Sequence, residues 1–505
     1  MKLIPLIIIS IILDSCSSKI STVRNVYQTH NLPSDSVQNK SFLKLHLKNG
    51  NLVILKNWNL DTINSQIIGN GFYYEPNRKL RQNHFETPIA FEDCILAETN
   101  DPEGVNVISP FIMTFPTLLG AAAVPCLANP KTCFGSCPTF YSTENDTLKI
   151  QAEGFSSSVT KSLEAIDIDY LDLTPKDSII SLVVKNEAHE THYIKNIELL
   201  AFSINNNEQV MQSDLGFYKV SNLSTILNPN KDEQIQKLIY RDGNEYFSES
   251  DAIDLREKEI ITLDIAPQQA NSLGIIITER QSLLTTFLFY QSIAYMGSGA
   301  GENLANYEKA LSKEYKMPLT FIEQLGEIEV EAKVDGKWQK VGELNESGPI
   351  VSDRHLLPIE IDGIIDQVRL RMTKGLWRID EISVANIIEK VDPIVLPPTK
   401  LLHNGNNNIN LLTKLKDTAS YVVNLPGASD TLIFKLPKDE NVQLYLKSKG
   451  YYIEWMRENW LKEGDPAMVR MMFVFPKKWL REMAPKYKAV EPIMEELFWT
   501  SKYTN

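Results

Sequence analysis

Cysteine and histidine are scarce in this chain, with five and seven copies among 505 residues. So few cysteines cannot build the disulfide lattice of a small secreted scaffold, so a hydrophobic core must carry the stability. The common catalytic signatures are missing too. No Gly-x-Ser-x-Gly elbow, His-Glu-x-x-His pair, Walker loop or EF-hand loop occurs, which removes the enzyme and sensor classes that depend on them. A basic excess is also lacking: 51 Lys and Arg face 64 Asp and Glu, for a formal net charge of −13. With no basic cluster, nucleic acid is not an expected partner, and an anionic lipid surface finds little to hold. No cofactor fingerprint appears, and no cofactor is expected.

What is present is ordinary globular composition, 43% apolar and 23% charged, in a length that suits several domains. The chain opens with Met1-Lys2, an apolar run from Leu3 to Leu13, and Asp14-Ser15-Cys16. One positive charge, a short apolar core and a small residue before cysteine form a bacterial lipoprotein signal over residues 1–15, with Cys16 the lipidated residue. The run is too short to span a bilayer as a mature helix. Acyl chains on Cys16 would hold the protein on a bacterial outer membrane, with the periplasmic or surface face undecided. Residues 16–40 are polar and read as a tether.

Period-two alternation then dominates and predicts a mainly β, multi-domain chain. Leu43-Lys44-Leu45-His46-Leu47 and Leu52-Val53-Ile54-Leu55 flank Asn49-Gly50, a hairpin signal inside a small β-roll or barrel over residues 41–105. Residues 106–141 form an apolar segment with a cysteine pair. A β-sandwich is expected over 142–275, and a helical segment over 276–316 whose buried helix lies near 281–296. A jelly-roll or immunoglobulin-like module follows over 317–390, then a Pro-rich linker over 391–412. An α+β C-terminal domain, rich in aromatics, occupies 413–505.

The cysteine pair sits in Cys133-Phe134-Gly135-Ser136-Cys137-Pro138-Thr139-Phe140-Tyr141. Its spacing suits a small disulfide loop in an oxidising compartment, with free thiols, a metal or a redox pair as the other readings. Cys94 and Cys126 either pair with each other or stay buried and reduced, and four cysteines allow three full connectivities. The Cys133–Tyr141 run, with the Asp146–Gly154 stretch after it, resembles a segment of uncharacterised bacterial envelope lipoproteins. There a Cys-Phe-Gly-x-Cys-Pro-x-Tyr start leads into a strand. The resemblance implies an envelope location and brings no activity with it.

Two weaker constellations complete the candidates. Glu187, His189, Glu190 and His192 put two imidazoles and two carboxylates within six residues, a metal set only if a turn brings them together. Trp455, Trp460, Trp479 and Trp499 offer rings of the kind that stack on sugars, although large rings also fill cores. Carboxylate groups such as Glu164/Asp167/Asp169 and Asp353/Asp362 are too common among 64 acidic residues to single out. The expected role is a non-enzymatic, lipid-anchored binding or accessory subunit working through protein–protein contacts in the envelope. A glycan-binding lipoprotein is the alternative, and a hydrolase with dispersed catalytic residues is a third.

Overall fold

A computed structural model describes residues 21–28, 43–47, 51–74, 80–103, 137–144, 147–159, 161–173, 175, 178–188, 190–227, 233–297, 320–345, 347–417, 419–437, 441–454 and 463–500. The chain is mainly β and divides into two compact units. The first is residues 1–118 with 294–300 and 456–464, and the second is the remainder.

In the first unit the strands are β1 (Ser21–Gln28), β2 (Leu43–Leu47), β3 (Leu52–Asp61), β4 (Gln66–Tyr74), β5 (Leu80–Phe85), β6 (Ile89–Ala90) and β7 (Cys94–Glu103). Among the described residues they make one seven-stranded sheet in the order β1-β7-β2-β3-β4-β5, with β6 on β4. The strands expected on either side of Asn49-Gly50 pair antiparallel, Leu43 with Leu55 and Leu45 with Val53, while the two turn residues lie outside the described residues. Those four residues are buried and join Ile67, Phe85, Ile89 and Ala97 in one core. Residues 21–28, expected within the tether, instead pair with β7 along their whole length.

The second unit begins with β8 (Thr139–Glu144), β9 (Thr147–Glu153), β10 (Ala165–Tyr170), β11 (Ile179–Lys185) and β12 (Glu190–Ser203). The chain then leaves for a long insertion of β13 (Glu208–Ser213), β14 (Gly216–Thr225), β15 (Tyr246–Phe247), β16 (Lys258–Gln269), β17 (Leu273–Gln281), α1 (Leu284–Met296), α2 (Thr320–Leu325), β18 (Ile328–Val334), β19 (Lys337–Leu344), β20 (Asp353–Pro358), β21 (Ile364–Thr373) and β22 (Trp377–Val391). It returns through β23 (Ile394–Leu396), β24 (Lys400–His403), β25 (Asn406–Asn407), α3 (Ile409–Lys416), β26 (Val422–Asn424), β27 (Ser429–Lys435) and β28 (Val442–Glu454), and ends in α4 (Pro466–Val474) and α5 (Pro476–Thr500).

The first and last of these segments together form a sandwich. One sheet runs β25-β24-β27-β11-β8-β9, and the other β10-β28-β12-β23 with β26 also on β12. Phe140, Leu182, Leu432 and Phe434 from the first meet Ile194, Ile197, Leu199, Leu444 and Leu446 from the second in a single core. A register shift between Ile194 and Asn196 lets both Ile194 and the odd-numbered Ile197 and Leu199 face inward. The opposite face of β12 is also covered: Leu200 and Phe202 pack with Val210, Phe217 and Tyr445. The sandwich expected within 142–275 is therefore discontinuous in sequence. The segment expected as a linker supplies its strands β23–β25, and β26–β28 belong to it rather than to a separate C-terminal domain.

In the insertion, β14-β13-β20-β17-β22 closes on itself through a β14–β22 pairing. Met211, Val220, Leu356, Ile276 and Ala385, one from each strand, fill the barrel. A four-stranded sheet, β16-β21-β18-β19, stands beside it. The expected jelly-roll at 317–390 thus divides, because β20 and β22 find long-range partners in the barrel. Helix α1 is the buried helix expected near 281–296. Asp465 caps α4 by accepting from the N–H groups of Ala467 and Met468, with Pro466 at the first turn. On α5, Trp479, Met483, Tyr487, Met494 and Phe498 recur at helical spacing and are buried. Trp479 packs on Phe321 of α2 and Tyr487 on Phe287 of α1, so the C-terminal helices belong to the insertion.

Candidate functional site

Strand β10 reads Ala165-Ile166-Asp167-Ile168-Asp169-Tyr170, and its period of two puts both aspartates on one face. In the barrel, antiparallel pairing of β17 with β20 sets Glu279 directly opposite Asp353, and Ile277 opposite His355. These alternate with Ile276 and Leu356, which point into the barrel, so the three ionisable groups share its outer face. Like charges directly opposite each other weaken a strand pair. Something other than pairing energy therefore accounts for Glu279 beside Asp353.

The two acidic faces meet around a cavity of about 210 Å³. Its walls carry the carboxyl groups of Glu153, Asp167, Asp169 and Asp353, the imidazole of His355, and the hydroxyls of Ser158 and Ser347. Glu153 ends β9 and holds the wall together. Its backbone N–H donates to Asp169 Oδ1 at 3.2 Å, and its Oε2 accepts from the Ile350 N–H at 2.8 Å. The loop can come this close because residue 348 is glycine: a Cβ there would lie 2.2 Å from Glu153 Oε2. Behind the wall, His355 Nδ1 lies 3.2 Å from Glu279 Oε1. Phe155, buried at the cavity edge, has φ +39, a left-handed backbone that costs a non-glycine residue roughly 1–3 kcal/mol.

Polar atoms at this wall lack partners among the described residues. Asp169 is 3% exposed and Ser158 0%, yet Asp169 Oδ2, Ser158 Oγ and Ser347 Oγ make no hydrogen bond. A buried polar group left unpaired costs about 1–3 kcal/mol. The charges are unbalanced as well. Burial lifts Glu153 from 4.5 to about 7, against the restraint of the Ile350 N–H and the Cys137 thiol. Burial and the repulsion of Asp167 and Asp353 push Asp169 well above the usual carboxyl range. Burial also raises Asp353, with His355 opposing and Asp167 and Glu279 adding to the rise. Asp167 and Glu279 are raised by burial too. For His355 burial opposes the charge, but Glu279, then Asp353 and Asp214, outweigh it and lift its pKa to about 9. Among the described residues, one imidazolium thus serves five carboxyl groups, with the Arg280 guanidinium acting on Glu153 as well.

The residues singled out from sequence are placed elsewhere. Glu187 accepts from the Tyr141 hydroxyl at 2.5 Å, whereas Glu190 Oε1 lies 2.5 Å from His192 Nε2 in a fully buried pair. His189 lies outside the described residues, and among the described residues no three His, Cys, Asp or Glu side chains are grouped to hold a metal ion. Trp479 is 0% exposed, so it is a core ring with no face to offer a sugar. Trp455 and Trp460 lie outside the described residues, as does the side chain of Trp499. Cys16, Cys126 and Cys133 do so too. Cys94 is buried near the Ala90 carbonyl, and the Cys137 Sγ lies 3.6 Å from the Ser156 carbonyl. Burial and the charges of Glu153 and Glu190 push the Cys137 thiol up, which makes it a poor nucleophile.

Of the carboxylates weighed from sequence, Asp167, Asp169 and Asp353 come together at the cavity. Glu164 does not: it is neutralised by Lys195 at 3.1 Å, by the Tyr421 hydroxyl and by Lys449 at 3.6 Å. Asp362 is exposed. Glu153, Glu279 and His355 were missed. The Asp-x-Asp spacing within a strand was the available signal, since it aims two carboxyl groups the same way.

Neither a protein-family model nor a curated protein matches the chain. Two solved structures of allantoicase, one of them from Saccharomyces cerevisiae, are similar over 43% and 51% of this chain and 80% and 92% of their own. The S. cerevisiae structure is 6% identical and the other 9%, and each gives a TM-score of 0.18. The secreted serine protease VesC of Vibrio cholerae is similar over 74% of this chain and 98% of its own, at 9% identity and a TM-score of 0.15. Likeness at this level carries no argument about fold or activity.

Proposed function

We propose that the chain is a lipid-anchored, non-catalytic binding protein of a bacterial cell envelope, and that the cavity between β9–β10 and β20 is its recognition site. The observation that carries this reading is the set of buried carboxyl and hydroxyl oxygens around the cavity that find no partner among the described residues. Folding that leaves such groups unpaired is costly, and a ligand that completes their hydrogen bonds offsets the cost. The Cys16 signal supports the anchored location, and contact with a second envelope protein remains part of the reading. Full-length protein in mild detergent tests it by thermal shift against amines, neutral polyols, peptides and metal ions. Stabilisation by one class, lost in Asp169→Asn, is the expected result; a flat response across the panel opposes the reading. Membrane association should disappear in Cys16→Ser.

A hydrolase reading has one observation in its favour. Asp167 and Asp169 are neighbours raised to different extents, the arrangement by which a general acid and its conjugate partner are separated. Turnover of ester, peptide or glycoside substrates that is lost in both Asp167→Asn and Asp169→Asn would favour it.

A further inference from the structure

We propose that the cavity takes a small alkylammonium compound, its charged end held by the carboxyl oxygens of Glu153, Asp169 and Asp353 and by the hydroxyls of Ser158 and Ser347. This rests on the cavity being a recognition site and names the chemistry of its ligand. Three features of the site select that chemistry.

The first is charge. Four carboxyl groups line the cavity and Glu279 stands behind them, while the nearby guanidinium groups are engaged elsewhere. Arg280 is bound by Glu245 and Glu495, and Arg354 by Glu381. A cation favours the charged form of these raised carboxyl groups, whereas an anion would raise them further and a neutral polyol would leave them raised. The second is dispersion. A metal ion needs several oxygens within about 2.0–2.6 Å of one point, and no such grouping exists among the described residues. An ammonium donates three separate hydrogen bonds at ordinary lengths and tolerates acceptors spread around a wall. The third is the lining itself. Phe155 and Val351 stand among the polar groups, giving a short methylene chain a small apolar surface while its charged end meets oxygen.

A cation in this site also couples binding to protons. The ionisable groups bearing on the cavity are Cys137 ahead of β8, Glu153 on β9, Asp167 and Asp169 on β10, Asp214 between β13 and β14, Glu279 and Arg280 on β17, and Asp353 and His355 on β20. Of these, Glu153 crosses from protonated to charged near neutrality, while His355 stays charged until about pH 9. A cation entering between pH 6 and 8 displaces the Glu153 proton, so its affinity rises with pH.

The test is isothermal titration of the full-length, detergent-solubilised protein at pH 6 and pH 8. Putrescine is the probe, 1,4-butanediol its neutral counterpart of the same chain length, and calcium chloride the metal arm. The expected result is saturable putrescine binding that tightens about fivefold to tenfold from pH 6 to pH 8. Binding should weaken at least tenfold in Asp169→Asn and also in Ser347→Ala, and stay unchanged in the surface variant Asp251→Asn. Equal binding of butanediol and putrescine, without pH dependence, would overturn the ammonium assignment and leave the recognition site standing. Binding of calcium alone would do the same. No binding by any probe, in a protein whose melting curve shows it folded, would overturn both.

Discussion

Two groups of buried charge lie back to back on β17, and they are built to opposite rules. Arg280 and Glu279 are adjacent in sequence and so project to opposite sides of the strand. On the Arg280 side the charges balance. Arg280 contacts Glu245 at 2.6 Å and Glu495 at 3.2 Å, and Arg378 contacts Glu495 at 3.1 Å and Glu245 at 3.5 Å. Two guanidinium groups thus meet two carboxylates and tie α5 to the barrel. On the Glu279 side five carboxyl groups share one imidazolium around a cavity, among the described residues, and Arg280 reaches only Glu153 of them through its charge. A balanced cluster is complete within the protein, whereas an unbalanced one with open oxygens is complete only with something bound. That contrast, rather than acidity as such, separates scaffold from candidate site.

The comparison can be strained from either end. The largest effect is expected from Arg280→Met, which takes from the partly buried Glu245 and Glu495 a buried guanidinium and leaves them Arg378. Loss of about 3–5 kcal/mol of stability in urea is the expected result, and a loss under 1 kcal/mol would mean the network carries little. Glu153→Gln should act in the opposite direction. It removes a carboxyl held at about 7 instead of 4.5, so the variant should be more stable at pH 8 by up to about 3 kcal/mol and nearly unchanged at pH 4.5. Gly348→Ala comes next. Its Cβ must push the Glu153 carboxyl off the Ile350 N–H, at a cost of about 1–2 kcal/mol. The change would show as a lower urea midpoint and weaker ligand binding together. The smallest effect belongs to Arg371→Ala, which breaks an exposed pair with Glu329 on the four-stranded sheet. Its urea midpoint should match the wild type within error, as is usual for a solvated ion pair.

Local pattern and long-range pairing differ in how far sequence displays them. The pairing of β2 with β3, the strand-rich body and the helix over Leu284–Met296 were legible because a period of two or 3.6 specifies each locally. Their assembly was not. The pairing of β10 with β28 joins residues 165–170 to 445–450, and nothing in either strand names the other. Modules therefore read as consecutive blocks when they are in fact nested. The cavity shows the same division. Asp167 and Asp169 declare a common face through their spacing, but Glu153, Glu279 and His355 reach them only through sheet register and the insertion. In the Glu187–His192 group, dense in sequence, Glu187 ahead of β12 is taken up by Tyr141, and Glu190 on β12 by His192.

The central claim is that burial at the cavity wall makes Glu153 hold its proton, and stability against pH tests it most directly. The folded state holds the Glu153 proton more tightly than the unfolded chain does. Its contribution to stability is therefore present below about pH 4.5 and lost as pH rises through about 7. His355, raised to about 9, adds stability below its ordinary 6.5 that is lost as pH rises through 9, but it does so equally in wild type and variant. Urea unfolding of ligand-free wild type and Glu153→Gln from pH 4.5 to 9 isolates the first effect. The account predicts curves that coincide at pH 4.5 and separate through pH 7, with the variant the more stable. Parallel curves, or a wild type that gains on the variant as pH rises, would contradict it.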